Sequence, residues 1–400
     1  MKEVWIYDAI RTPRSRAKPQ GGLHDLRPHD LLKHLYLGLE QRCGLDPKCV
    51  AEVILGCVTQ AGDQAGNIAK TSTLYAGWPT RINGVTINRF CSSSTDAIAA
   101  AALKIAAGQE SAIIAGGVEM MSRVPMLSDK ATVFIEPEFA AQCQMLMMGN
   151  GADLLATLCG VSRTQADTVA LHSQLRAEKA RAQGFFKSII PIFNPVKNVS
   201  IESDECIRTD VSSASLAQLP AAFAAAGLAG IDALQLEAYP YLAHIEHIHT
   251  AGNSPAMADA AAVVLVGDSA LGKQLGMSAR ARIVDTASVS EDPLQVVSGC
   301  VGATKKLMHR HKLTADQVDL FEIHEAFAAT IVKCHNELDI PSDKLNVNGG
   351  VIALGHPMGA TGAIMLGTLL DELERRGQSR GIVATSGAAG AGSAVLVERL

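Results

Sequence analysis

The chain alternates short apolar runs with longer stretches whose apolar positions recur every three or four residues, a pattern that predicts strands and helices in turn. The runs EVWIYDAI (3–10), AEVILGCV (51–58), GVTIN (84–88) and SAIIAGGVE (111–119) read as strands of a first half. AAVVLVGDS (261–269), ARIVDTAS (281–288), VDLFEIHEAF (318–327) and GIVATSGAAG (381–390) read as their later counterparts. Such alternation predicts an α/β architecture with a mainly parallel sheet. The order also looks repeated. In the first half a strand ends at Cys91, an Ala-rich helix runs to Gly108, and a strand closes at Gly116–Gly117. In the second, LNVNGGVIALGHPMGATG (345–362) enters a helix to about Arg376, and a strand ends at Ser386–Gly387. Two similar units around a pseudo-twofold axis are expected. Between residues 120 and 249 the pattern breaks into Met-rich and polar segments around one amphipathic stretch, SRTQADTVALHSQLRAEKARAQG (162–184). It reads as an inserted loop domain, of the kind that supplies substrate contacts on a rigid scaffold.

Composition narrows the function classes. With 400 residues, 48% hydrophobic and 19% charged, the chain can bury a large core, and its Ala-rich, apolar character suggests an oligomer. A net charge of −5 and the lack of a basic tract give no reason to expect nucleic acid or a membrane surface. No apolar run is long enough to cross a bilayer, and MKEVWIYDAIRTP reads as a strand and a Pro turn, not a signal peptide. Nine cysteines without CxxC spacing point to reduced thiols, a cytoplasmic setting and no structural metal.

Three residues stand out chemically. Cys91 follows a strand and precedes a helix, where unsatisfied N–H groups favour the thiolate. A buried structural cysteine is the other reading of that position. His356 lies between glycines that let the backbone approach a ligand, and it could act as the base for the thiol. Pro357 fits the first turn of the helix that follows. His324, in FEIHEAFAA, carries less signal alone.

Together, NRFCSSS (88–94), AGGVEMMSRVPM (115–126), FEIHEAFAA (321–329) and NVNGGVIALGHPMGATG (346–362) resemble the thiolase family of acetyl-CoA acyltransferases. So do DAIRTPRSR (8–16) and HTAGNSPAMADAAAVVL (249–265), in the expected order along nearly the whole chain. The resemblance implies a five-layered α-β-α-β-α fold. Its N-terminal half would be 1–120 with 250–271, its inserted loop domain 121–249, and its C-terminal half 272–400. It also implies cleavage or formation of a carbon–carbon bond in 3-oxoacyl-CoA, with coenzyme A and acyl-CoA as substrates and no covalently bound cofactor. Cys91 would carry the acyl group, His356 would activate it, and His324 would support the oxyanion as in the H-E-A-F branch acting on longer chains. A homodimer or homotetramer is implied as well.

The same resemblance exposes departures. Thiolases place a second cysteine, the acid/base for the Cα proton, where this chain has Ser386, and no cysteine follows Cys334. A serine hydroxyl needs a neighbouring base to do that work; relay through an adjacent His324 is one possibility, and an engineered replacement of cysteine is another explanation. Pro255 stands where a serine usually meets the pantetheine amide, with Ser254 beside it. Ala260 replaces a glycine, Ser94 another, and Met147 a histidine near the substrate. QLPAAF (218–223) lacks the basic residues expected near the CoA phosphates, while Arg208 loosely matches an arginine that packs on CoA. The alternative to an active thiolase is therefore an impaired relative: an acyl-CoA binder, a slow thioesterase or a subunit of a complex. Two stretches stay outside the resemblance. QCQMLMM (142–148) reads either as acyl-tunnel lining or as ordinary core. GIDALQLEAYPYLAHIEHIH (230–249) looks longer than the usual connection, and its three histidines lack metal-ligand spacing, so it reads as a surface helix and strand.

Overall fold

The computed structural model describes residues 2–400. Twelve strands form: β1 Val4–Arg11, β2 Ser15–Arg16, β3 Glu52–Gly56, β4 Asn83–Ile87, β5 Ala112–Met120, β6 Ile192–Asn194, β7 Val199–Ile201, β8 Ala258–Gly267, β9 Ala281–Ser290, β10 Leu320–Ile323, β11 Arg380–Ser386 and β12 Ala391–Arg399. Ten of them make one mixed sheet in the order β4-β3-β5-β8-β1-β9-β12-β11-β10, with β2 attached to β8. β3, β4 and β5 are parallel, as are β10 and β11, but every other pairing in the sheet is antiparallel, which corrects the mainly parallel sheet expected from the alternating pattern.

The sheet repeats itself about the β1–β9 pair. Reading outward, β1, β8, β5, β3 and β4 on one side answer β9, β12, β11 and β10 on the other. In place of a fifth strand, the second side has a single parallel bridge from Phe321 to Leu345. Two expectations are corrected here. AAVVLVGDS, read as a strand of the second half, is β8 and lies between β1 and β5. Strand β12 had no counterpart in the sequence reading at all. Which strand neighbours which is set by long-range pairing, so local pattern carries no trace of it.

β5 and β8 are buried along their whole length, as strands covered on both faces must be. On one face of the first half lie helices Pro28–Cys43 and Ile68–Tyr75, packed through Leu31, Leu35 and Ile68. The opposite face of the first half and the inner face of the second share a layer made by helices Ser93–Ala106 and Thr361–Arg376. Helices Gly299–Arg310 and Ala328–Leu338 cover the outer face of the second half. The result is five layers, α-β-α-β-α. Thr361–Leu373 is buried on every side, as expected of a helix between the two halves of the sheet. Its start approaches the other central helix so closely that a Cβ on Gly362 would sit 2.0 Å from Thr95 Oγ1.

The segment from 121 to 249 holds the β6–β7 pair and several helices. Arg163–Ala182 is started by a capping box between Ser162 and Gln165. It packs against helices Ala328–Leu338 and Val351–Leu354 of the second half. The 230–249 stretch forms helix Asp232–Ala238 but no strand, contrary to the reading above.

Candidate active site

Cys91 and His356 come from the equivalent strand–loop–helix turns of the two halves. After β4 the chain passes through Phe90, whose φ of 49° is in the left-handed region, and then turns at Cys91 into helix Ser93–Ala106. Such a backbone state costs about 1–3 kcal/mol in a bulky residue and persists only where surroundings enforce it. Here Ser92 Oγ donates to the Thr385 carbonyl at 3.0 Å, anchoring the turn to β11. The second turn follows Gly355, at φ 98°, and His356 N–H donates to the Ala256 carbonyl at 2.7 Å. The two turns lean on each other's strands. A Cβ on Gly117, in β5, would lie 2.3 Å from the Gly359 carbonyl, and one on Gly387, after β11, would lie 2.9 Å from the Arg89 carbonyl.

This exchange brings His356 Nε2 to 3.1 Å from Cys91 Sγ, while His356 Nδ1 contacts Thr361 Oγ1 at 2.8 Å. With Nδ1–H given to Thr361, Nε2 is left to accept the thiol proton, the tautomer a base requires. Glu119, buried, fixes the surrounding loops. It accepts from the amides of Val58 (2.9 Å), Thr59 (3.1 Å) and Gly359 (3.0 Å) and from Gln64 Nε2 (2.8 Å). Behind the His356 loop, Arg14 donates to the Gly355 carbonyl at 3.2 Å and shares Asp204 with Arg11.

The sequence reading expected the helix terminus to favour a Cys91 thiolate; the structure reverses this. Burial, with the charge of Glu119 added, pushes the Cys91 thiol up to about 12. Burial, His324 and Arg14 together hold His356 well below its ordinary value. The resting pair is thus a neutral thiol and a neutral imidazole, and proton transfer waits for an arriving electrophile. Desolvation outweighs the helix terminus because both groups are nearly sealed from water.

His324 immediately follows β10, its ring centred 4.5 Å from that of His356, and burial lowers it to about 4. Its Nδ1 lies against the Ser386 backbone, 3.2 Å from the carbonyl and 3.4 Å from the amide nitrogen. Its Nε2 is buried without a protein partner, and the residue lines the same cavity as Cys91. Ser386 is adjacent, but its hydroxyl is committed. It donates to the Val297 carbonyl at 2.8 Å and accepts from the Cys300 amide at 2.9 Å. Contact with His324 is through the Ser386 backbone, so the relay considered above has no hydrogen bond to run along.

The cavity in front of these residues measures about 280 Å³. Cys91, His324, His356 and Ser386 share it with aromatic and thioether side chains such as Phe90, Phe223, Phe327, Met148 and Met358. Asp129 is the single charged side chain in its wall if the histidines are neutral. Met147, 52% exposed, and Ser254, whose Oγ is buried without a partner, both line it. Arg208 does not; its guanidinium reaches the Gly252 carbonyl at 3.4 Å instead. Glu119, Thr361 and Arg14 lay inside the quoted motifs but were assigned no role from sequence. Only side-chain geometry distinguishes them from neighbouring polar residues. Among the described residues no cluster of three or more His, Cys, Asp and Glu could hold a metal ion.

Comparison with known proteins gives this geometry a context. Residues 4–270 match the family described as "Thiolase, N-terminal domain", and residues 277–399 match "Thiolase, C-terminal domain". Over 407 residues, covering all of both chains, the sequence is 36% identical to the 3-ketoacyl-CoA thiolase of Aliivibrio fischeri. It is 35% identical to a beta-ketoadipyl-CoA thiolase of Escherichia coli, again over both full lengths. Among solved structures, the Bacillus anthracis acetyl-CoA acetyltransferase superposes with a TM-score of 0.86 at 33% identity, covering 100% of this chain and 99% of that one.

Proposed function

The chain belongs to the thiolase family of acyltransferases, and from that premise we propose that it transfers acyl groups through a Cys91 thioester in the chemistry of 3-oxoacyl-CoA. In the cleavage direction His356 takes the Cys91 proton as sulfur attacks the C3 carbonyl. Collapse of the tetrahedral adduct breaks the C2–C3 bond and leaves an acetyl-CoA enolate that must be protonated at C2. Coenzyme A then attacks the acyl-Cys91 thioester, releasing the shortened acyl-CoA and restoring the thiol. His324 supports the developing oxyanion through Nε2–H, with the Ser386 amide donating to Nδ1. The observation that carries the reading is the 3.1 Å Cys91–His356 contact at the base of a largely apolar cavity.

Protonation at C2 is the weak step. The hydroxyl of Ser386 is held by Val297 and Cys300, so the carbon–carbon half of the cycle runs slowly relative to acyl transfer. A second reading, favoured by the same observation, confines the chain to the acyl-enzyme half, as a slow thioesterase or an acyl-CoA binder. The substrate acyl chain is apolar. A terminal carboxylate would meet no cation in the cavity wall, only Asp129 at the rim. Met147 and Ser254 contact the incoming thioester arm, and Arg208 serves the nucleotide end.

Homodimeric or homotetrameric assembly and a cytoplasmic location belong to the same proposal, as do the halves 1–120 with 250–271 and 272–400 flanking a loop domain 121–249. Among the described residues no helix is long and apolar enough to cross a membrane. The test is intact-mass analysis after incubation with acyl-CoA. An acyl adduct that appears on the native chain and vanishes in Cys91→Ala supports the proposal. No adduct with any chain length ends it.

A further inference from the structure

Residues 227–249 carry an arrangement that acyl transfer at Cys91 does not use. Helix Asp232–Ala238 places Asp232 Oδ2 3.0 Å from His247 Nε2. On the other side of the same ring, Nδ1 lies 2.9 Å from Oδ2 of Asp153, a fully buried residue of helix Met148–Cys159. A ring with a carboxylate at each nitrogen can donate to both only as an imidazolium. The second oxygen of Asp153 accepts from His249 Nδ1 at 2.7 Å and from the amides of Ile248 and His249, each at 3.1 Å. With Nδ1 donating, His249 Nε2 accepts from the Ala329 amide at 3.4 Å. Its ring also meets Phe327 edge-on, centroids 5.2 Å apart, and Phe327 meets Phe223 in the same manner at 5.8 Å. Both phenylalanines line the cavity, and Phe327 follows His324 by three residues. A continuous line of contacts thus runs from His247, 14% exposed, to the wall beside Cys91.

We propose that His249 is a positioning residue, hanging the Phe327–Ala329 corner and the adjoining His324 segment from Asp153, and that the charge on His247 sets how firmly Asp153 is held. A neutral His247 can donate to one carboxylate only, and its other nitrogen would then face an acceptor. Asp153 and Asp232 are the charged groups that face the ring from the two helices packed on it. Gly227 brings no charge, and the Glu246 side chain pairs with His244 in solvent. Burial works against the charged ring, but the hydrogen bonds to Asp153 and Asp232 outweigh it, so His247 titrates above its ordinary value. The sign follows: the brace is complete at pH below the ordinary histidine range and is lost as pH rises through the raised value.

This inference rests on acyl transfer at Cys91, and the experiment separates the two. Acylation of Cys91 by hexanoyl-CoA is timed in the full chain from about pH 6 to pH 9, for the native protein, His247→Gln and His249→Gln. The ratio of native to His247→Gln rates cancels the titration of Cys91 itself. It is expected to be about tenfold at the acid end, the scale of a small displacement of reacting groups, and to approach one at the alkaline end. His249→Gln is expected to be slow throughout. A ratio that stays constant with pH overturns the proposal. Asp232→Asn leaves Asp153 its partners and must move the step to lower pH; an unmoved step also overturns it, which covers the case of a His247 variant that does not fold. If no acyl-enzyme forms at any pH, the parent reading has failed. The same ratios are then read from alkylation of Cys91 by iodoacetamide, and a flat ratio there sinks the brace as well.

Discussion

Replacing Ser386 by cysteine should make the protein less stable and a better carbon–carbon catalyst at once, because the serine hydroxyl is structural where an acid/base is needed. Its oxygen is buried and makes two neutral hydrogen bonds, to the Val297 carbonyl and from the Cys300 amide. A thiol is a weak donor and acceptor, and it leaves the amide at the start of helix Gly299–Arg310 poorly satisfied. Two such losses cost about 2 kcal/mol. Unfolding entropy near 2 cal/mol/K per residue then gives a fall in Tm of about 2 °C for a chain of 400 residues. The gain is a group titrating near pH 8.5 in place of one that does not titrate usefully, worth about 10²-fold or more in the step that protonates C2. The assay pairs calorimetry with CoA-dependent loss of 3-oxoacyl-CoA absorbance, alongside intact-mass timing of Cys91 acylation. Acylation should be unchanged while thiolysis rises. Ser386→Ala should share the stability loss and keep the native turnover within about twofold, a factor near 0.4 kcal/mol. If Ser386→Ala abolishes thiolysis, or Ser386→Cys leaves it unchanged, the assignment of the hydroxyl to structure alone is wrong.

Other perturbations follow from the same geometry. Since burial pushes the Cys91 thiol up to about 12, its alkylation rate in the substrate-free protein should climb about tenfold per pH unit through the neutral and mildly alkaline range; a plateau below about pH 9 would contradict a sealed neutral thiol. Glu119→Gln puts an amide N–H₂ where backbone and Gln64 donors converge, so urea unfolding should show a loss of about 3 kcal/mol and slower acylation as Gly359 is released. Gly117→Ala sets a methyl against the Gly359 carbonyl and should cost about 1–3 kcal/mol, with kcat reduced more than coenzyme binding. Burial raises Asp204, but Arg11 and Arg14 overcome it and hold the carboxyl down to about 2. Its contribution of about 2 kcal/mol is therefore present above its unfolded value and lost as pH falls toward 2. Asp204→Asn should flatten that acid limb in a pH series of unfolding curves.

The sequence was most legible where structure is local. β1, β3, β4 and β5 fall within three residues of their expected ends, because each is an apolar run bounded by turn residues. The capping box at Ser162 and the helix it starts were equally plain. The strand pattern alone grouped β8 with the later strands, whereas the family resemblance set 250–271 with the first half. The pattern misleads because the neighbours of β8, β1 and β5, are fixed by pairings across more than 130 residues. The His247–Asp153–His249 arrangement was missed for a similar reason. The histidines were tested for metal-ligand spacing, while their partner is a carboxylate 94 and 96 residues earlier. The error over Cys91 was one of magnitude rather than location. A helix terminus offers tenths of a kcal/mol up to about 2, whereas full burial of a thiolate costs several.

What the motifs did not reveal is why they lie so far apart and yet depend on one another. The Cys91 turn belongs to the first half but is anchored by Ser92 to β11, and it packs on Gly387 of the second. The His356 turn belongs to the second half but hangs from Glu119 and packs on Gly117 of the first. Each catalytic turn is held from the other half, the strained Phe90 turn through Ser92 on Thr385 and the Gly355–His356 turn through Arg14 and the Ala256 carbonyl. The reacting pair therefore exists only where the two halves of the sheet and the shared helix layer have closed together. Position 386 sits at that junction, at the end of β11 and next to Gly387, which packs on the Arg89 carbonyl of the Cys91 turn. Cysteine at this position is therefore expected to change stability and turnover together, whereas alanine changes stability alone. The serine hydroxyl ties the end of β11 to Val297 and Cys300, and in the proposed cycle this is the position from which C2 would be protonated.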